Sequence, residues 1–289
     1  MFDRVAIVGL GLIGGSIALA LHSAKAAQQI AGYDPDKRVA HSARKIGAID
    51  QACLTLADAV RSAELVIVAT PIGQIRSFLQ DIAAVASPRT VVTDVASTKA
   101  QVMSWAEEYL PASVFFVGGH PILSKTTFND ETPTAKLFKH CVYCLTPTKR
   151  TSSTALDKVM QLIEILDARV RFLEPAEHDG LVAGVNQLPF VLSAILMNTV
   201  AESPTWVDAQ IVAEKSMYDM IRMTSNDPEV YRDICLTNSE ALSRWLSEYI
   251  RALSTFRDQL MLHDSDLSQT FQKSKKLYEQ WQAMQSAIE

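Results

Sequence analysis

Cysteine is scarce in this chain of 289 residues, charge is nearly balanced, and no apolar run reads as long enough to cross a bilayer. Each shortage excludes a class of function. The four cysteines are scattered, so no disulfide scaffold is expected. The one close pair, Cys141 and Cys144, lies in the alternating segment Cys141-Val142-Tyr143-Cys144-Leu145. No second cluster completes a zinc site, and the pair reads as buried thiols with no metal expected. A net charge of −5, with both signs interspersed, gives no electrostatic footprint for nucleic acid or an anionic membrane. Spanning a bilayer takes about 20 consecutive apolar residues, and the N-terminus enters a strand at once, with no charged leader and cleavage site. These readings predict a cytoplasmic protein whose partner is a small molecule. Ordinary core is abundant: hydrophobic residues make up 48%, enough for one large or two moderate domains.

The apolar run Val5-Ala6-Ile7-Val8 empties into Gly9-Leu10-Gly11-Leu12-Ile13-Gly14-Gly15-Ser16 and then into the helix-like Ile17-Ala18-Leu19-Ala20-Leu21. A strand, a glycine turn and a helix in this order make a dinucleotide cradle. Gly9 permits the tight turn, Gly11 lets backbone N–H groups approach a pyrophosphate, and Gly14 lets the helix pack close to the strand. Leu12 and Ile13 open the helix whose N-terminal dipole faces the anion. A second apolar run, Gln29-Ile30-Ala31-Gly32-Tyr33, ends at Asp34. An acidic side chain about twenty residues past the glycines binds the adenosine ribose hydroxyls and repels a 2′-phosphate. NAD is the expected cofactor, with NADP second because Lys37 and Arg38 lie close by.

After Asp34 helical and strand patterns alternate. Val39 to Ile46 and Ile75 to Ala86 read as helices; Glu64 to Ala69, Thr90 to Asp94, Val114 to Val117, a segment around Val142, and Arg169 to Leu173 read as strands. That alternation predicts a doubly wound parallel sheet of Rossmann type over residues 1–173. From about Glu174 glycines are few and the apolar periodicity is helical, which predicts an all-helical domain over 174–289. Leu181 to Val200 is too apolar for a solvent-facing helix and is expected in a domain core or a subunit interface.

Such sheets bind ligands at the carboxyl ends of their strands. Three polar clusters fall there: Thr70-Pro71, Asp94 to Lys99, and Gly118-Gly119-His120-Pro121. His120 follows a strand and two glycines, and a histidine so placed either takes a proton near neutral pH or bonds a backbone carbonyl. His178, in Ala176-Glu177-His178-Asp179, reads as capping and orienting the first helix of the second domain, and capping accounts for Glu177 and Asp179. His22, His41, His140 and His263 have no polar constellation around them and read as structural or solvated.

Taken together, the glycine turn, Thr70-Pro71-Ile72, Thr93-Asp94-Val95-Ala96-Ser97-Thr98-Lys99, Gly118-Gly119-His120-Pro121-Ile122, Leu145-Thr146-Pro147, Glu177-His178-Asp179, Ser225-Asn226-Asp227-Pro228, Arg232-Asp233-Ile234 and Asn238 resemble the prephenate and arogenate dehydrogenase family of tyrosine biosynthesis over nearly the whole chain. The resemblance implies an NAD-dependent oxidative decarboxylation of a cyclohexadienyl acid and a homodimer joined through the helical domain. It implies that His120 takes the proton of the substrate's ring hydroxyl as hydride leaves the same carbon. It further implies that Ser97 orients that histidine near the nicotinamide and that Arg222 receives a substrate carboxylate, a role suited to a bidentate guanidinium.

The departures lie on the substrate side. His120-Pro121-Ile122-Leu123-Ser124-Lys125-Thr126 lacks the glycine usual in the family and carries a lysine among hydroxyls, which makes Ser124 and Lys125 candidate substrate contacts. Asn186-Gln187-Leu188-Pro189-Phe190 stands where the family has Ser-His-Leu-Pro-His, so Gln187 offers a hydrogen bond without charge and Phe190 offers neither. Lys125 or Lys215 either replaces the lost positive partner or is a solvated charge. The expected function is oxidation of prephenate or arogenate; the alternatives are a related dehydrogenase acting on another hydroxylated or cyclohexadienyl acid, and a dinucleotide-binding sensor without turnover.

Overall fold

Val5, Ala6, Ile7 and Val8 are fully buried, and so are Leu65, Val66, Ile67 and Val68. A strand that is apolar at every position has to be covered on both faces, as in a parallel sheet between two helical layers. The computed structural model describes residues 1–123, 132–262 and 267–288 and contains that sheet. Its eight strands run in the order β3 (Gln51–Ala52), β2 (Ala27–Tyr33), β1 (Phe2–Val8), β4 (Leu65–Val68), β5 (Val91–Asp94), β6 (Phe115–Ile122), β7 (Val142–Thr146) and β8 (Arg169–Phe172). Alternate side chains of each strand go to opposite layers. Val5, Ile7, Leu65 and Ile67 pack under α1 (Leu12–Ser23), α2 (Lys37–Lys45) and α6 (Ser153–Ile165). Ala6, Val8, Val66 and Val68 pack under α3 (Leu56–Val60), α4 (Ile72–Val85) and α5 (Ala100–Tyr109).

Two expectations for the sheet need correction. It is not wholly parallel: β6 pairs antiparallel with β7, and β7 pairs parallel with β8, so the last two strands run against the other six. A parallel return needs a crossover of a dozen or more residues, usually helical, and the described parts of the β6–β7 connection, Leu123 and 132–141, contain no helix. Nor does the strand stop at Val117. It continues through Gly118, Gly119, His120 and Pro121, because β7 supplies a ladder partner for each, His120 opposite Cys144. His120 therefore sits in a strand and not in the loop after one.

Beyond β8, α7 (Pro175–Val182), a π-helical turn (Ala183–Gln187) and α8 (Leu188–Ala201) follow without a break. Pro189 has no N–H and its ring would press on the carbonyl four residues back, which accounts for the widened turn just before it. The joined helix, Pro175–Ala201, has 27 residues and is long and apolar enough, by length and composition, to cross a membrane. This corrects the expectation that no apolar run reaches such a length. Its first turns carry buried His178, Asp179 and Gln187, all engaged in the polar site described below. After α9 (Trp206–Ala209), α10 (Lys215–Ile221) and a 3₁₀ turn (Arg222–Ser225) comes α11 (Pro228–Thr237), and then α12 (Ser239–Met261) and α13 (Leu267–Ile288). By its internal contacts the chain forms two compact units, Met1–Ala241 and Leu242–Glu289. The division falls well past residue 173, because Asp179 and Asn238 bond the first helices back to the sheet region. In the second unit Phe256 meets Phe271 edge to face, with ring centres 6.0 Å apart.

Candidate active site

The glycine turn has the geometry its spacing predicts. Gly9 holds φ at +89°, a backbone conformation that L side chains rarely adopt. A Cβ on Gly14 would run into the Gly9 carbonyl oxygen, so α1 can approach β1 only with glycine there. Gly11 is the N-cap of α1 and faces open space, and among the described residues no side chain caps the first turn that Leu12, Ile13 and Gly14 begin. An uncapped helix N-terminus with room in front of it suits a pyrophosphate. Asp34 is half-buried, and its two oxygens accept the Leu10 amide (2.8 Å) and the Asp36 amide (2.9 Å). A carboxylate has about four acceptor sites, so Asp34 keeps capacity for ribose hydroxyls while it ties the glycine turn to the end of β2. Arg38 is bound by Asp36 at 2.7 Å, and that arginine beside it holds the Asp36 carboxyl down to about 2. Thr70 is buried next to Gly9, its hydroxyl without a partner among the described residues, and Pro71 occupies the N-cap position of α4.

His120 is buried near the carboxyl-terminal end of β6, and its surroundings are polar and interlocked. Its Nδ1 lies 2.9 Å from Nε2 of His178, and Nδ1 of His178 lies 2.8 Å from Oδ1 of Asp179. The same Asp179 accepts the backbone amides of Lys99 (2.7 Å) and Ala100 (2.8 Å), so it caps α5. The expectation that His178 and Asp179 merely cap their own helix is thereby corrected: Asp179 caps another helix, and His178 is fully buried against His120. Lys99 is also fully buried. Its Nζ bonds Asp94 and donates to the Gly119 carbonyl at 2.7 Å, while Asp94 accepts the Gly119 amide at 3.1 Å. A buried charge needs such pairing, and this one clamps the strand at the residue before His120. Burial pushes the Lys99 ammonium down against the opposing pull of Asp94. Burial, and after it His178 and Lys99, hold His120 well below its ordinary 6.5, so its ring is neutral near pH 7.

The remaining predicted residues are less concentrated. Ser97 lies half-buried in the loop after β5, and no hydrogen bond among the described residues joins it to His120, whose ring is held by His178 instead. Gln187 is buried at the end of the π turn; its Oε1 accepts from Asn238 at 2.9 Å and its Nε2 has no partner among the described residues. Phe190 stacks on Tyr231 with ring centres 3.8 Å apart. Arg222 is exposed, in the 3₁₀ turn that packs on α8. Lys215 is paired with Asp219 on the surface and behaves as a solvated charge. Ser124, Lys125 and His263 lie outside the described residues. Sequence reasoning missed the parts played by His178, Asp179 and Lys99. The available signals were an acid adjacent to a histidine and a lysine five residues after the strand-end Asp94.

Two family models divide the chain between them: one for the nucleotide-binding domain of prephenate dehydrogenase matches residues 17–172, and one for its dimerization domain matches residues 174–274. The chain belongs to the prephenate dehydrogenase family. Among curated members, prephenate dehydrogenase of Bacillus subtilis is 31% identical over 96% of this chain and 76% of its own length. Cyclohexadienyl dehydrogenase of Zymomonas mobilis is 27% identical over 96% of this chain and 95% of its own. Among solved structures, prephenate dehydrogenase from A. aeolicus in complex with hydroxyphenyl propionate and NAD+ superimposes with a TM-score of 0.88, at 25% identity over 97% of this chain and 98% of that one. Synechocystis arogenate dehydrogenase gives 0.81, at 26% identity over 96% and 99%. Within this prephenate dehydrogenase-type chain, the uncapped glycine turn and the buried histidine belong to one compact unit, the cradle from its first strand and the histidine from its sixth.

Proposed function

We propose that this chain is an NAD-dependent dehydrogenase that oxidises and decarboxylates prephenate or arogenate in tyrosine biosynthesis. The observation that carries the reading is a buried His120, bonded to His178 at the end of a strand, in a sheet whose glycine turn offers an open helix N-terminus. Leu12, Ile13 and Gly14 present amides to the pyrophosphate, Asp34 holds the adenosine ribose, and Thr70 and Pro71 lie beside the glycine turn. Bound NAD supplies the hydride acceptor. His120 accepts the proton of the ring hydroxyl, which pushes electron density toward hydride departure from the same carbon. In this reading Ser97 lies by the nicotinamide, Arg222 anchors a substrate carboxylate, and Nε2 of Gln187 donates a hydrogen bond to the substrate. Loss of CO₂ is driven by aromatisation of the ring, so the protein's contribution is orientation and electrostatics.

Residues 1–173 form the dinucleotide-binding part of this reading and 174–289 the helical substrate and dimerisation part. The enzyme is a cytoplasmic homodimer. Gln187 and Phe190, which replace two histidines at the substrate side, favour a second reading in which another hydroxylated or cyclohexadienyl acid is the better substrate. Purified protein assayed with prephenate and with arogenate, each with NAD and with NADP, tests the first reading by NADH formation. Absence of turnover with both acids refutes it.

A further inference from the structure

His120, His178 and Asp179 form one hydrogen-bonded chain that starts at a carboxylate and ends at the ring assigned the proton transfer. Every link is buried: His178 has no exposure, Asp179 is 3% exposed and His120 8%. The proton positions follow from the chemistry of the links. Asp179 accepts a backbone amide on each of its oxygens, and the atom facing its Oδ1, Nδ1 of His178, donates to that acceptor and so carries a proton. When His178 carries that one proton, its Nε2 is bare. That nitrogen lies 2.9 Å from Nδ1 of His120, and two lone pairs cannot face each other there, so Nδ1 of His120 carries the proton. The bare nitrogen left on His120 is Nε2. The rings cross at 72° with centres 5.1 Å apart, an arrangement that holds the hydrogen bond and is not a stack.

From this geometry we infer that His178 is a positioning residue that, oriented by Asp179, fixes His120 in the Nδ1–H tautomer and leaves Nε2 as the proton-accepting atom. The inference rests on His120 being the proton acceptor of the proposed reaction. It explains why an acid follows His178 directly, and it gives His120 a partner that no assigned residue supplies. A carboxylate that selects the tautomer of a second histidine, which in turn selects that of the first, also resists inversion. Flipping His120 would leave a buried N–H and a buried lone pair without partners, at a cost of about 1–3 kcal/mol for each unsatisfied group.

The experiment compares wild type with His178→Leu and His178→Gln, by nitrogen NMR of the histidine rings in the free protein and by steady-state kinetics. Glutamine has an oxygen to accept from His120 and an amide to donate to Asp179, so it preserves the orientation without an imidazole. Wild type is expected to show His120 protonated at Nδ1 and bare at Nε2. His178→Leu is expected to mix the tautomers and lower kcat by at least about a hundredfold, while His178→Gln keeps kcat within about tenfold and restores the tautomer. The dissociation constant for NAD is expected to stay the same in all three. The inference is overturned if His120 in wild type carries its proton on Nε2, if His178 is doubly protonated at neutral pH, or if the leucine variant keeps both tautomer and turnover. Equal losses of kcat in the two variants with the tautomer unchanged would also overturn it. The NMR arm needs no substrate, so a wild type with the expected tautomer and no turnover on either acid counts against the proposed reaction and not against this chain. A leucine variant that does not fold leaves the wild-type and glutamine spectra to decide.

Discussion

His120 differs from a solvated histidine in being buried and in having one ring nitrogen already engaged. His120→Asn is expected to lower kcat by at least about a hundredfold, the lower part of what a positioned base contributes, with NAD affinity nearly unchanged. Stopped-flow or steady-state NADH formation checks the first, and a cofactor titration the second. Burial also sets a pH dependence. The folded chain holds His120 neutral well below 6.5, whereas the unfolded chain protonates it near its ordinary value. As pH falls below about 6.5 the unfolded state therefore binds a proton that the native state refuses, so stability present above that pH is progressively lost toward the folded pKa. Thermal melts between about pH 7.5 and 5.5 should show Tm falling, and His120→Asn should flatten part of the fall. At the other end of the site, Asp34→Ser is expected to reduce a preference for NAD in kcat/KM. A wild type that favours NADP by tenfold would show that Asp34 has been given the wrong role. His120 was legible as a candidate because it follows the apolar run Val114 to Val117 and two glycines. Its partner was not, since His178 is 58 positions away and nothing in its own neighbourhood separates a buried link from a helix cap.

The first strand, turn and helix are the most legible element of the chain, and the reason is steric. Gly9 and Gly14 are required by close approach, and close approach leaves its mark on the sequence as glycine. Gly14→Ala is expected to push α1 away from β1, costing about 1–3 kcal/mol in stability and weakening NAD binding more than substrate binding. Chemical denaturation with and without NAD checks both, and a variant with wild-type midpoint and affinity would refute the packing argument. The β6–β7 hairpin was the least legible. An extended Gly118-Gly119-His120-Pro121 has poor strand propensity and owes its strand to pairing with β7 and to the Lys99–Asp94 clamp, both supplied from distant parts of the chain. The same cause hid the polar role of Asp179, which caps a helix 80 residues away in sequence. Local pattern reports a cap, but the helix it serves is a tertiary fact.

At the scale of the molecule, the helix Pro175–Ala201 poses a question of solvation. The expectation that Leu181 to Val200 is buried in a core or an interface is met only in part within one chain: Leu188, Phe190 and Ser193 are buried, while Val185 is 72% and Ile195 56% exposed. A core role for the whole segment is thereby corrected. Burying an aliphatic side chain of that size gains about 1.5–3 kcal/mol, so a surface carrying several of them is stable in water chiefly when another surface covers it. A second copy of the chain is the cover proposed here, and an isologous contact between two such helices would bury each exposed residue twice. Sedimentation at micromolar concentration should give a dimer, and Val185→Asp combined with Ile195→Asp should give a monomer with unchanged far-ultraviolet circular dichroism. Both aspartates stand on positions that one chain leaves exposed, so the folded monomer tolerates them, and only the shared surface pays for two charges brought in without partners. If wild type instead sediments as a monomer with full activity, the exposed face of the helix Pro175–Ala201 is not a subunit interface and the dimer is refuted.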